Sequence, residues 1–239
     1  MQILSKNKIK WIRSLQLKKN RDNFNVFVVE GDKMIQEALQ YAASKIELIA
    51  FTKTSILSTL EEIKLEEKYE INEEELRSIS SLKNPNKSIA IIKNQITSFY
   101  SSKFQIAVDG IQDPGNMGTI LRLADWYGIN EIICSKETVD CYNPKVVQAS
   151  MGSIFRVKVK YVDLEVYLSK QKKPIFGALL EGENIYSKEL QAEGILVLGN
   201  EGHGISEAIV NKIETPLTIP KIGKTESLNV STAAGILLS

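Results

Sequence analysis

Histidine and cysteine are almost missing from this chain. Its 239 residues hold one histidine, His203, and two cysteines, Cys134 and Cys141. Two thiols cannot build a disulfide framework, and without metal-ligand spacing or histidines nearby they mark no metal site. They read as a small buried apolar residue and a loop thiol. Long apolar runs are missing too. No stretch approaches the ~18 residues of a membrane span. The N-terminal MQILSKNKIKWIR has no apolar core of signal-peptide length. No membrane partner follows, and the protein is expected to be cytoplasmic. Internal repeats and low-complexity segments are absent. So is G-x-G-x-x-G with an acid about twenty residues on, which a nicotinamide enzyme acting on a small molecule would need. The formal net charge is only +1, so the overall balance says nothing about partners.

What is present is ordinary in bulk and uneven along the chain. Hydrophobic residues make up 43% and charged residues 25%, as in soluble globular proteins. The length suits one large or two small domains. Residues 1–21 carry Lys6, Lys8, Lys10, Arg13, Lys18, Lys19 and Arg21 with no acid. That run is either a solvated helix face or an electrostatic footprint for a polyanion. Residues 61–75 are the reverse, eight Glu against Lys64 and Lys68, and read as solvated surface.

The opening segment is patterned as a basic amphipathic helix, with Ile9, Trp11, Ile12 and Leu15 recurring among the lysines. VFVVEG, IELIAFT and SIAIIK then read as strands, with a helix carrying Met34, Ile35, Ala38, Leu39 and Ala42 on one stripe. These predict a small α/β domain over 1–95. The polar, Ser-rich QITSFYSSKF places a linker at 96–104. A second domain over 105–239 has apolar runs at QIAVDG, EIICS, VKVKYV, PIFGALL, ILVLGNEG and LTIPK, separated by helical patterns. They predict a mostly parallel sheet covered on both faces.

In such a sheet, ligands gather at the carboxyl ends of the strands. Three stretches begin there. DGIQDPGNMGTILRLADWYGI places Asn116 and Gly118 at a loop-to-helix junction and Arg122 about one turn into the helix. LVLGNEGHGIS runs a strand into Gly199, Gly202 and Gly204, which permit positive φ and close approach of main chain to a ligand. LTIPKIGKTESLNVSTAAGILLS carries Ser227 and Asn229 at the start of a small-residue helix still in progress at Ser239. Taken singly, the second is as readily a tight turn, Ser227 an N-cap and Arg122 a surface charge.

Together the three resemble the signature motifs of the SpoU (TrmH-type) RNA ribose 2′-O-methyltransferases of the SPOUT superfamily. Asn116, Gly118 and Arg122 match the first; Gly199, Glu201 and Gly204 the second; Ile219, Pro220, Ser227, Leu228, Asn229 and Ser231 the third. Order and spacing agree across about 105–239. RSLQLKKNR and FVVEGDKMIQEAL also resemble the small RNA-binding domain that precedes the methyltransferase domain in many rRNA-directed members.

The resemblance implies an α/β fold with a C-terminal trefoil knot, a methyl transfer from S-adenosylmethionine to a ribose 2′-hydroxyl without metal, and a homodimer with its sites at the subunit interface. It implies cofactor contacts from Leu198, Gly199, Gly204, Ile219 and Leu228, largely through main chain. Asn116 and Arg122 would face the target ribose and phosphate. Glu201 would position Asn116 or Arg122, and Ser227 and Asn229 would orient Arg122 and the ribose. A guanidinium keeps its proton in proteins, so Arg122 is better suited to stabilise a developing alkoxide than to act as a literal base. His203 falls at a position the family leaves variable and reads as a bystander. RNA contacts are expected from Lys18, Lys19 and Arg21, with rRNA favoured over tRNA. The alternatives are a tRNA ribose methyltransferase of the same family and an RNA-binding relative that has lost catalysis.

Overall fold

A computed structural model describes residues 3–59, 67–94, 102–187 and 192–239. Most of the expected linker, and the start of the acidic run, lie outside the described residues. The chain divides into two compact units, Met1–Thr97 with Tyr142–Phe155, and Ser98–Cys141 with Arg156–Ser239. Residues 142–155 therefore group with the first unit, although nothing local in their sequence signals it.

The first unit opens with α1 (Lys6–Ser14) and α2 (Lys18–Phe24), then β1 (Val26–Glu30), α3 (Asp32–Tyr41), β2 (Ile46–Phe51), β3 (Lys68–Glu70), α4 (Glu73–Ile79) and β4 (Ser88–Lys93). Its sheet runs β1-β4-β2-β3, with β4 antiparallel to both neighbours and β2 parallel to β3. Ile12, Leu15, Val28, Leu48, Leu76, Ile89 and Ile91 form its core. The basic opening segment is two helices rather than one. The turn between them is closed by Arg21, which is buried and donates Nη1 to the carbonyls of Leu15 and Gln16 at 2.9 and 2.8 Å. Asn25, at φ 55°, ends α2 in the left-handed conformation that asparagine tolerates.

The second unit contributes β5 (Phe104–Val108), α5 (Pro114–Trp126) and β6 (Glu131–Ser135). After α6 (Pro144–Ala149), which packs with the first unit, come β7 (Lys158–Val162), α7 (Leu164–Ser169), β8 (Ile175–Asn184), β9 (Gly194–Leu198), α8 (Glu207–Val210), β10 (Thr215–Thr218) and α9 (Val230–Leu238). The six strands lie in the order β10-β8-β9-β5-β6-β7, every neighbouring pair parallel. Strands β6 and β9 are buried at every position, which is why their centres read as apolar runs rather than alternating ones; the polar ends of β6, Glu131 and Ser135, are buried too. Strand β10 lies two residues earlier than LTIP suggests and contains Pro216, a residue an edge strand tolerates. Ile219 and Pro220 thus already belong to the following loop. Because all strands are parallel, the loops after β5, β9 and β10 leave from one edge of the sheet. Strand order reverses direction beside β5 and β9, the usual place for a ligand crevice. No helix among the described residues is long and apolar enough to cross a membrane.

Candidate active site

The loop after β5 and the loop after β9 are fastened to each other. Asp109 continues the pairing by donating its N–H to the Leu198 carbonyl at 2.9 Å, and its carboxylate accepts the Ser206 N–H at 2.8 Å. From the other loop, Asn200 donates Nδ2 to the Gly110 carbonyl at 2.6 Å. Its Oδ1 accepts the N–H groups of Gly202 and His203 at 2.8 and 3.1 Å, while its main chain exchanges two bonds with Gly204. This turn folds back so tightly that a Cβ on Gly199 would overlap the main chain of Gly204 and Ile205. Gly204 sits at φ 70°. Both positions therefore demand glycine, for space at one and for conformation at the other. His203 enters through its backbone N–H, and the residue is exposed.

A second set of bonds runs through all three signature segments. Helix α5 starts with Pro114 at its first turn and Asp113 as N-cap, whose side chain accepts the Asn116 N–H at 2.8 Å. Glu201 accepts the N–H groups of Gln112 and Asp113 at 3.3 and 3.2 Å and the Asn116 amide at 3.0 Å. Asn116 Oδ1 in turn accepts Nδ2 of Asn229 at 2.9 Å, with Ser231 Oγ at 3.5 Å. Asn229 Oδ1 caps α9 by accepting the N–H groups of Ser231 and Thr232 at 2.9 and 3.3 Å. Each amide has its carbonyl and amino ends fixed by what it meets. Partial burial pushes the Glu201 carboxyl up, but the donors from Asn116 and the loop backbone outweigh it and hold the group below the usual carboxylate range.

Of Asn116 and Arg122, the two residues Glu201 was expected to position, it bonds Asn116. Asn116 and Asn229 spend their side chains tying loops together. Arg122 and Ser227 lie outside this network. Six residues along an α-helix turn about 600°, so Arg122 faces roughly 120° away from Asn116. It is exposed, and it makes no hydrogen bond or ion pair among the described residues. Ser227 is exposed as well. Ser231, matched in the third motif but given no role from the sequence, joins Asn116 and Asn229 at the mouth of α9.

The segment from Lys221 to Leu228 is different again. All its residues are exposed, Leu228 at 46% and Ile222 fully, and its backbone N–H groups have no partner among the described residues. A side-chain-free turn at Gly199, free main-chain donors and an uncovered leucine suit an adenosine group recognised by backbone and apolar contact. Leu198 can contribute only main chain, because its side chain is fully buried in the sheet. Ile219 is half-buried at the start of the segment.

Outside this edge, Lys18 pairs with Asp22 at 2.6 Å while Lys19 is exposed. Arg21 is turned inward, so a phosphate contact from it has no counterpart here. Both cysteines are buried and unbridged, and burial, then Cys141, push the Cys134 thiol up.

The profile of the SpoU rRNA Methylase family matches residues 103–239, more than half of the chain, and that of the MRM3-like substrate binding domain matches 6–90. The chain belongs to the SpoU rRNA methylase family. It is 30% identical over 236 residues to the 23S rRNA (guanosine(2553)-2′-O)-methyltransferase RlmP of Bacillus subtilis (strain 168), covering 97% of this chain and 94% of that protein. A structure from Porphyromonas gingivalis assigned to the TrmH family superimposes with a TM-score of 0.89 at 36% identity, over 99% of this chain and 97% of that one. The AdoMet-bound rRNA methyltransferase of Sinorhizobium meliloti does so with 0.85 at 26%, over 100% and 95%.

Proposed function

We propose that this protein transfers the methyl group of S-adenosylmethionine to a ribose 2′-hydroxyl of rRNA, working in the cytoplasm as a homodimer. The observation that carries the reading is the Glu201–Asn116–Asn229 chain, which joins the three signature segments around the glycine turn and the open 221–228 segment. The full-length similarity to RlmP of Bacillus subtilis, whose name specifies 2′-O-methylation of 23S rRNA, supports the substrate class. So does the match of the first unit to a substrate-binding domain. The trefoil knot expected of the fold belongs to the same reading.

When bound, the cofactor supplies an electrophilic sulfonium methyl. The main chain of Gly199, Gly204 and residues 219–228 would hold it, with Leu228 against its apolar surface. A ribose hydroxyl is a weak nucleophile; it would give up its proton to water as it attacks, and its oxygen takes on alkoxide character on the way. Arg122, charged and uncommitted, stabilises that charge electrostatically, and Ser227 would orient the sugar. Asn116, Glu201 and Asn229 act one step back, fixing where α5 and α9 begin. Trp126 is 84% exposed on α5, one turn beyond Arg122, and that face is where a second copy would cover both.

The test is transfer of labelled methyl groups to rRNA from cells lacking this protein, followed by mapping of the 2′-O-methylated position. Arg122→Ala should lower the rate by about 10²–10³-fold, the usual cost of a preorganised charge-stabilising donor. Methylation of tRNA alone would shift the substrate, and cofactor binding without transfer to any RNA would mark an inactive relative. A monomer by light scattering at micromolar concentration would remove the dimer.

A further inference from the structure

Helix α5 carries an acid, Asp125, three residues after Arg122. Residues at i and i+3 share a helix face, so Arg122 is the local partner of Asp125. The structure does not use that pair. Asp125 is taken instead by Arg156, whose Nε lies 3.1 and 2.9 Å from the two carboxylate oxygens and whose Nη2 lies 2.8 Å from one of them. The two side chains retain only 26% and 25% of their exposure, so the pair is partly desolvated and has forked geometry, the stronger kind of ion pair. Arg122 is left exposed without an intrachain partner among the described residues.

We infer that Arg156 is a positioning residue for methyl transfer. It holds Asp125 and neutralises its charge, so that Arg122 remains available to the substrate. The inference rests on Arg122 being the charge-stabilising group proposed above. The physics is local. A carboxylate one helical turn from Arg122 competes for the guanidinium and opposes negative charge that develops beside it. Two charges at that range still feel each other near a protein surface. Pairing Asp125 elsewhere cancels both effects. A merely structural staple between α5 and the strand region that follows Arg156 would predict lost stability but no dependence on Asp125 charge. A phosphate contact by Arg156 would predict weaker RNA binding.

Four variants separate these cases: Arg122→Ala, Arg156→Ala, Asp125→Asn and the double variant Arg156→Ala/Asp125→Asn. Each is assayed for methyl transfer to rRNA from cells lacking the protein, with kcat and KM for RNA resolved and thermal melting recorded. Arg156→Ala should lower kcat about tenfold with KM little changed. Asp125→Asn should stay within about twofold of the parent, and the double variant should return to that level. If Arg156→Ala does not fold, Arg156→Lys replaces it. Its single-point ammonium cannot reproduce the fork, so it should show a smaller loss, again relieved by Asp125→Asn. A double variant as slow as the single one, an unchanged kcat, or a loss confined to KM overturns the inference while leaving the Arg122 reading intact. Full activity in Arg122→Ala removes that reading, and the inference falls with it.

Discussion

Two parts of the same sheet edge are built on opposite plans. The loops at 109–113 and 199–206 are fastened to each other by Asp109, Asn200 and Glu201 through side-chain-to-backbone bonds. The segment 221–228 beside them has no backbone N–H partnered among the described residues and exposes Leu228 and Ile222. The difference separates two tasks. Carboxylates and amides already bonded to the backbone fix geometry before any ligand arrives, which spares the reaction the cost of ordering. Groups left without partners are the ones with bonds still to make. Arg122, about a third of a turn around α5 from the fastened Asn116, belongs to the second class.

Glycine substitutions should break this contrast most sharply. In Gly199→Ala the new methyl meets the main chain of Gly204 and Ile205, which cannot move without opening the Asn200–Gly204 bridge. The expected cost is about 2–3 kcal/mol in urea unfolding, with cofactor binding lost in calorimetry. Gly223→Ala, in the open segment, meets nothing within 4 Å and should stay within about 0.5 kcal/mol. Equal effects at the two sites would erase the distinction.

Hydrogen exchange tests it next. Amides of 199–206 should be protected with or without ligand, while those of 221–228 should exchange rapidly alone and slow by about 10-fold or more with saturating S-adenosylmethionine. Protection of 221–228 in the free protein would mean that the segment is already ordered by contacts other than a ligand.

Much of this was legible in the sequence because the residues concerned have no local substitute. Parallel strands buried on both faces are apolar at their centres, so the IIC of EIICS and the ILVL of ILVLG announce themselves. A turn that excludes Cβ must contain glycine, so GNEGHG stands out. The motif spacing located Asn116, Glu201 and Asn229. What stayed hidden has its reason in sequence distance or in context. Arg156 and Asp125 meet across thirty-odd positions of unrelated chain, and nothing local announces the fork. Arg21 is indistinguishable by pattern from the lysines before it, since a buried guanidinium and a solvated one are spelled alike. The grouping of 142–155 with the first unit is also a long-range fact. Asn200 went unread as well, although asparagine is a residue that bonds its own backbone two residues on, as it does here to Gly202.

Glu201 offers a smaller test, with a definite sign. Its carboxyl is held below the usual range in the folded protein. It therefore contributes stability that is fully present above the unfolded carboxyl value of about 4.3 and is lost as pH falls through the lower folded value. The stability difference between the parent and Glu201→Gln should be flat from neutral pH down to about 5 and shrink below it, as read from urea unfolding at each pH. A difference that grows on acidification would contradict the bonding assigned to Glu201.

The smallest expected effect carries the same distinction into the first unit. Arg21 is fastened to the end of α1, Lys18 shares its charge with Asp22, and Lys19 is open. If these lysines face RNA phosphates, Lys18→Ala/Lys19→Ala should flatten the dependence of log affinity on log salt by about one to two units, because each lost phosphate contact releases fewer counterions. Arg21→Ala should lower the melting temperature and leave the slope alone, since a guanidinium committed to two carbonyls has little left for a phosphate. A slope that responds to Arg21 but not to the lysines would mean that α2 turns over when RNA binds, and that fastened and open cations exchange roles in the complex.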